Sequence, residues 1–441
     1  MKLQYYFLAT LTCVAGSLDF NLSENGKSPN QSSNEKIISS VNELGFHLIK
    51  ELMRSNQNKN VVISPAGISG LLAMTLLGSV GESYEELARV LGFSEDVQRN
   101  RENHEHFGEL LRALNSNDTT SKTLYSDAIF TDTRSTLREV FRVYLNRVYG
   151  GEAIATDFQD KLQAKNVINE WVKNNTIGKI PDFLKQTLPI DTKVVLLSAL
   201  YFSGQWQHPF LIEYTKSLPF TGPTGTSMVD QMLNMGTFPY LNSYTDDLHM
   251  VALPYNDSST IMYALKPRRP KELSLPELLS RLDFDKVNSL IDKMKTRKCV
   301  IRYPKMDLQW TEDLKDSLKA LGVTSMFQPD QANFALMVDS NMVVNKTENE
   351  VLSRINAGDL EERSFKEIVN SLPNPGVYVD SILHDVKITI DEYGTEAVAA
   401  TSGILARSAE LFYADTPFFM FIRNEKTKLV TFSAAIFDPN S

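Results

Sequence analysis

The side chains that could carry out chemistry are few and scattered along the 441-residue chain. There is no G-x-S-x-G nucleophile elbow, no Walker loop and no G-x-G-x-x-G motif. His104 and His106 stand two residues apart, so on a helix they form a poor metal pair, and we predict that both lie on a solvated helix face. Cys299 lies in a strand-like stretch, which favours a small buried residue over a nucleophile. The sequence therefore indicates no enzyme, no metal site and no cofactor.

The segment 384–408 combines a strand pattern with a run of small residues. Val386, Ile388 and Ile390 alternate with polar residues, as in a strand. If the run that follows is extended, one of its faces carries only small side chains, namely Thr395, Ala397, Ala399 and Thr401. The run has no proline, so nothing prevents it from entering a sheet. Alanine and glutamate also favour a helix, and the residues alone leave the two structures open.

Both helices and strands are predicted in the rest of the chain, which must position this segment. Apolar spacing predicts helices over 35–53, 68–77, 82–91 and 164–172, the third ending at Gly92. Strands are predicted at 61–65, 126–131 and 194–202, within 250–267, and in a late hairpin of 417–422 and 429–432. The helices come first and the strands crowd the second half, which is typical of an α+β fold.

Composition and charge exclude several classes of partner and structure. Lys plus Arg is 45 and Asp plus Glu is 54, which gives a net charge of −9 and opposes binding to nucleic acid. After the N-terminus there is no apolar run of about 18 residues, so no membrane-spanning helix is expected. Two cysteines cannot form a disulfide framework.

The N-terminus has the pattern of an export signal. Lys2 precedes a short apolar stretch, 5–15, and small residues around position 17 suit cleavage, so we predict a signal peptide at 1–17 and a secreted, extracellular protein. A buried N-terminal helix is the alternative. Six N-x-S/T acceptors permit glycosylation: Asn21, Asn30, Asn117, Asn174, Asn256 and Asn345.

Several short motifs, in order, make the chain resemble the serpins, which are serine protease inhibitors. They are Asn169-Glu170-Trp171-Val172 followed by 176–180, Tyr201-Phe202-Ser203-Gly204-Gln205-Trp206, Pro304-Lys305, 318–322 with Phe327, Glu392-Tyr393-Gly394-Thr395-Glu396-Ala397, and Pro417-Phe418. The resemblance covers essentially the whole mature chain. It implies a single domain, 18–441, of three β-sheets and eight or nine helices with an exposed reactive loop. The segment of about 335–376 is then an insertion, either a surface appendage, a partner site or a tolerated long loop.

The resemblance also implies a mechanism in which a protease cleaves the loop, becomes trapped as an acyl-enzyme, and is carried along as the loop inserts into a sheet. Counting from Gly394 starts the scissile bond at Ser408, but Arg407-Ser408 suits trypsin-like proteases better, and Leu405 is a further candidate. A monomer forming a covalent complex with such a protease is expected. The alternative is a non-inhibitory serpin that acts as a binding or carrier protein.

The resemblance assigns further roles by position. The hinge comprises Glu392, Gly394, Thr395, Glu396, Ala397, Val398, Ala399, Ala400 and Thr401, and the sheet-opening region comprises Lys305, Trp206, Ser198, Ser64 and His384. Lys305 should pair with Glu392. Ser198 stands where the family usually has Asn, and Gly67 where it usually has Ser, which favours the carrier alternative. Glutamates interrupt the arginines of 96–125, which argues against heparin binding there.

Overall fold

The computed structural model describes residues 29–94, 100–117, 120–339, 372–393 and 409–441. The predicted signal peptide lies outside the described residues, as do the hinge from Gly394 to Thr401, the candidate bond Arg407-Ser408 and most of the predicted insertion. What the structure defines is the framework on either side of residues 394–408.

Nine α-helices occur in the described residues, in line with the expected eight or nine. They are α1 (Pro29–Ser55), α2 (Pro65–Gly78), α3 (Gly81–Leu91), α4 (Asn100–Arg112), α5 (Glu139–Tyr149), α6 (Lys161–Asn175), α7 (Leu275–Ser280), α8 (Phe284–Asp292) and α9 (Lys315–Ala320). Their ends follow from local chemistry. The Ser64 hydroxyl accepts a hydrogen bond from the Gly67 N–H and starts α2. Gly92, with φ of 71°, takes the left-handed conformation that ends α3.

Fifteen strands are described: β1 (Val61–Ile63), β2 (Ser116–Asn117), β3 (Ser121–Asp132), β4 (Glu152–Thr156), β5 (Val194–Gly204), β6 (Lys216–Gly222), β7 (Gly225–Ser243), β8 (Leu248–Pro254), β9 (Thr260–Pro267), β10 (Lys295–Pro304), β11 (Met306–Asp313), β12 (Val379–Ile390), β13 (Glu410–Tyr413), β14 (Phe418–Asn424) and β15 (Val430–Ile436). The predicted strand pair in 250–267 and the late hairpin are confirmed.

The strands form two hydrogen-bonded sheets. A six-stranded sheet, here called the main sheet, has the order β11-β12-β5-β3-β2, with β4 also on β3. The other strands form a nine-stranded array. The family's second and third sheets are continuous in this array because the 19-residue β7 pairs with β6 and β10 along much of its length and with β8 at its end.

Both faces of the main sheet are covered. Helix α2 packs between β3 and β5 on one side and β15 of the nine-stranded array on the other. On the opposite face, Ala164, Ile168 and Val172 of α6 join a smaller core with Leu197 of β5. Burial on both faces explains the near-continuous apolar sequence of β5.

Candidate functional site

An ion pair fixes the chain just beyond β12. The Lys305 Nζ lies 2.9 Å from the Glu392 Oε2, and the Thr215 hydroxyl donates to Oε1 at 2.9 Å. The Glu392 side chain is 4% exposed. Burial alone raises the pKa of Glu392, but the bonds from Lys305 and Thr215 outweigh it and leave the pKa below its ordinary value. The carboxylate is therefore ionised at neutral pH. We call Lys305, Glu392 and Thr215 the latch.

Backbone contacts hold the same segment from the side of β5. The Trp206 indole N–H donates to the Asp391 carbonyl at 2.8 Å, and the indole stacks on Tyr255 with ring centroids 4.4 Å apart. The Trp206 backbone N–H donates to the Tyr393 carbonyl at 3.1 Å. The chain from Asp391 to Tyr393 is consequently held in place beyond the end of β12.

The two strands next to this exit are paired directly with each other. Strand β12 runs parallel to β5, in register from Val379 opposite Val194 to Thr389 opposite Ser203, with one shift after Val379. Because the loop continues from β12, a loop strand folding back between the two would run antiparallel to both. The described sheet is closed at the place where such a strand would enter.

Three polar residues lie side by side across the middle of this closed sheet. Asp127 of β3 is opposite Ser198 of β5, which is opposite His384 of β12. All three are buried, and we call them the central row. The His384 Nε2 accepts a hydrogen bond from the Ser64 N–H at 2.9 Å, at the start of α2. Among described residues, no partner bonds the Asp127 Oδ1, the Ser198 Oγ or the His384 Nδ1.

Two departures from the family pattern meet at this row. A Cβ placed on Gly67 would lie 2.9 Å from the Ser198 Oγ and 3.0 Å from the Ser64 Oγ, closer than side chains normally approach. The Ser198 hydroxyl therefore lies where the side chain of a larger residue at position 67 would begin. Family resemblance singled out both positions, but only the structure shows that they face each other.

Burial keeps the central row uncharged near neutral pH. It lowers the pKa of His384 to about 3. Burial also raises the pKa of Asp127 to about 8, which the hydrogen bond from the Tyr125 hydroxyl only partly offsets. The Tyr125 hydroxyl donates to the Asp127 Oδ2. Sequence reasoning missed Asp127, although an acidic residue inside a predicted strand is itself a signal.

The chain that follows Ser408 pairs with the nine-stranded array. Strand β13 begins two residues after Ser408 and runs parallel to β10, with Glu410 opposite Cys299. The Cys299 side chain is buried, and burial raises the pKa of its thiol to about 11, as expected for an unreactive cysteine. Within the described ranges, no three His, Cys, Asp or Glu side chains are placed to hold a metal ion.

The expectation of two solvated histidines on α4 is wrong for His104. His104 is 4% exposed, and its Nδ1 contacts the Tyr149 hydroxyl on α5. Burial lowers the pKa of His104 to about 3. The spacing of His104, Phe107 and Leu111 places them on one helix face, and this signal could have revealed the buried position.

The glycosylation acceptors fall in different settings. Asn174 is exposed near the end of α6, and Asn256 is partly exposed between β8 and β9. Asn30 lies in α1 and Asn117 in β2, whereas Asn21 and Asn345 lie outside the described residues. None of the helices in the described portion is long and apolar enough to cross a bilayer.

Comparison with known proteins gives one consistent result. The family model described as serpin (serine protease inhibitor) matches residues 39–439. Plasminogen activator inhibitor 1 of Sus scrofa is 28% identical over 97% of this chain and 98% of that protein. Alpha-1-antiproteinase of Rattus norvegicus is 26% identical over 98% and 97%, respectively.

Solved structures give the same fold. Native protease nexin-1 with heparin aligns with a TM-score of 0.75 and 25% identity, over 92% of this chain and 99% of that chain. Thyroxine-binding globulin in complex with thyroxine aligns with a TM-score of 0.76 and 21% identity, over the same shares. The same fold therefore occurs in a protease nexin and in a thyroxine-binding globulin.

Proposed function

Because the chain belongs to the serpin family, we propose that it is a secreted inhibitor of trypsin-like serine proteases. The protease serine attacks the Arg407 carbonyl carbon, the Arg407-Ser408 amide bond breaks, and the new Ser408 amine leaves with a proton. The Arg407 acyl group is then esterified to the protease. As is known for serpins, insertion of the freed loop as a new strand traps this ester before water cleaves it.

The closed pairing of β5 with β12 is the observation that carries the proposal. These strands form a parallel ladder, which is slightly less stable per residue than an antiparallel one. A loop strand entering between them replaces one parallel ladder with two antiparallel ladders. Cleavage removes the connection that holds the loop outside, so the gain becomes available only after the protease has acted.

The composition of the loop supports insertion and the choice of bond. The alternating face of Thr395, Ala397 and Ala399 is small enough to pass into a covered sheet without a clash. Arg407 presents a guanidinium, which suits the acidic specificity pocket of trypsin-like enzymes. We also propose that residues 1–17 direct export and that the exposed Asn174 and the partly exposed Asn256 accept glycans.

Incubation with trypsin tests this function. We expect a complex that survives boiling in SDS and whose mass is near the sum of the protease and the cleaved inhibitor. Arg407→Gln should reduce complex formation with trypsin strongly, because the pocket loses its cation. Cleavage at Arg407 without any stable complex would contradict the proposal.

A non-inhibitory binding protein is the second candidate. It is favoured by Ser198 and Gly67, since the Ser198 hydroxyl has no hydrogen-bond partner among the described residues and Gly67 offers it no side chain where the sheet would have to open. In that case trypsin would cleave the loop, no SDS-stable complex would form, and the thermal stability of the protein would not change.

A further inference from the structure

A dense group of cations lies at the start of β10. Lys293, Lys295, Arg297 and Lys298 are four of six consecutive residues, and all four are exposed. Lys295 and Arg297 alternate on one face of the strand and Lys298 lies on the other. We call these four residues the β10 cluster.

Asp292 precedes the cluster and Glu410 lies opposite Cys299, but neither forms an ion pair with the cluster. None of the four side chains forms an ion pair with a carboxylate of the described residues, whereas surface cations elsewhere do, for example Arg101 with Glu105, Arg142 with Glu139, and Lys286 with Asp246. The residues opposite the cluster on β7 are uncharged, namely Tyr240, Pro239, Phe238 and Thr237. The cluster is thus a local positive surface on a chain whose net charge is −9.

The position of the cluster relates it to the reactive bond. Strand β13 joins β10 where Glu410 pairs with Cys299, the residue that directly follows the cluster. Consecutive Cα atoms are about 3.8 Å apart, so the Arg407 Cα lies within about 11 Å of the Glu410 Cα. The two strands are parallel, so the chain enters β13, through Ala409, at the end of β10 on which the cluster lies. A protease that binds Arg407-Ser408 is much larger than this distance, so its surface can reach the cluster.

We propose that the β10 cluster is a docking surface for an acidic patch that borders the active-site cleft of the target protease. The proposal rests on the inhibitory function proposed above and adds a property of the partner. Complementary charge at such a rim chiefly raises the association rate and makes it dependent on salt. The cluster thus favours negatively charged trypsin-like proteases over positively charged ones with the same pocket.

The test uses the full-length protein with a matched pair of proteases, anionic trypsin and cationic trypsin. In the variant Lys293→Gln, Lys295→Gln, Arg297→Gln and Lys298→Gln, the association rate constant for anionic trypsin should fall about tenfold at low ionic strength. The fall should shrink at high ionic strength, where charges are screened. The rate with cationic trypsin should stay the same or rise, and the yield of SDS-stable complex should not change.

The control removes the same charge elsewhere on the surface, through Lys161→Gln, Lys173→Gln, Lys185→Gln and Lys426→Gln, all exposed positions. An equal fall in both variants, or no fall in the cluster variant, would overturn the proposal while leaving the inhibitory function intact. Both variants are also passed over a heparin column. If the cluster variant loses retention on heparin while its association rates with the proteases stay unchanged, the cluster binds a sulfated polysaccharide and the proposal is overturned. If the unmodified protein forms no SDS-stable complex, the inhibitory function fails and the docking surface with it.

Discussion

Asp127 makes the stability of the closed sheet depend on pH. Its pKa is raised from 3.8 to about 8 by burial, so the folded chain holds a proton that the unfolded chain releases. The contribution of Asp127 to stability is greatest below pH 4 and is lost as the pH rises towards 8, by about 1.4 kcal/mol per pH unit as an upper limit.

Asp127→Asn should remove this dependence. Asn can accept the Tyr125 hydroxyl bond without carrying a charge. The free energy of unfolding, measured in urea, should be nearly equal for the two proteins at pH 4 and higher for the variant by several kcal/mol at pH 8. An advantage of the same size at both pH values would show that ionisation of Asp127 is not its cause.

Gly67 and Ser198 should be energetically coupled. Gly67→Ala places a methyl group 2.9 Å from the Ser198 Oγ, which we expect to cost about 1–3 kcal/mol of stability. In a Ser198→Ala background the cost should be smaller, because the atom in the way is gone. Thermal unfolding of the unmodified protein, the two single variants and the double variant gives the coupling free energy between the two positions. Additive effects of the two substitutions would contradict the contact.

Single residues of the site were predictable only where the family pattern fixed a partner. The pairing of Lys305 with Glu392 was expected from position, whereas Thr215 was not, because it lies far from both in sequence. His104 was misplaced because its polarity was weighed above its helical spacing with Phe107. Burial of a polar group depends on what packs against it, and one sequence does not contain that information directly.

The latch makes the top of the main sheet sensitive to charge. Glu392→Lys places two cations together beside β12, and we expect a loss of about 1–3 kcal/mol, moderated because the Lys305 side chain is 46% exposed. The loosened sheet should accept the loop of another molecule, so the variant should polymerise faster on warming, as seen on native gels. Glu139→Lys, which breaks the exposed pair with Arg142, is the control and should stay monomeric.

Acid should weaken the latch in the unmodified protein. The folded pKa of Glu392 lies below 4.5, so its stabilising effect is fully present above pH 4.5 and is lost as the pH falls through the lowered value. On warming, the unmodified protein should therefore polymerise faster below about pH 4.5, as measured on native gels. The polymerisation rate of the Glu392→Gln variant should depend less on pH.

In the proposed mechanism, the hinge determines whether cleavage ends in trapping or in release. Thr395→Arg puts a charged side chain on the face that must enter the sheet, where an unpaired charge is strongly unfavourable. Loop insertion should slow, the ester should hydrolyse first, and the variant should become a substrate, with several-fold more inhibitor consumed per protease inactivated. If the variant formed SDS-stable complex in undiminished yield, this role of the hinge would be contradicted.

Regular elements were easier to predict than the long strands of the nine-stranded array. The helix ending at Gly92 and the apolar β5 follow from spacing and local conformation. Strand β7 does not, because Gly236 and Pro239 lie inside it and its pairing changes along its length. Likewise, the parallel register of β12 on β5 joins segments that are some 185 residues apart, which no local pattern specifies.

At the scale of the whole molecule, the proposed function requires that the loop after Gly394 gains its best pairing only after cleavage. Cleavage between Arg407 and Ser408 should let residues after Gly394 add a strand between β5 and β12, with on the order of ten new backbone hydrogen bonds. At about 1 kcal/mol each, these predict a rise in melting temperature on the order of 10 °C.

Calorimetry of the intact and the loop-cleaved protein measures this rise, and Thr395→Arg provides the matched control. The cleaved variant has the same broken bond but an unfavourable hinge, so its melting temperature should stay close to that of the intact protein. If the cleaved unmodified protein gains no more stability than the cleaved variant, strand insertion does not drive trapping. The closed β5–β12 pair is then the final arrangement of the sheet, as in a carrier.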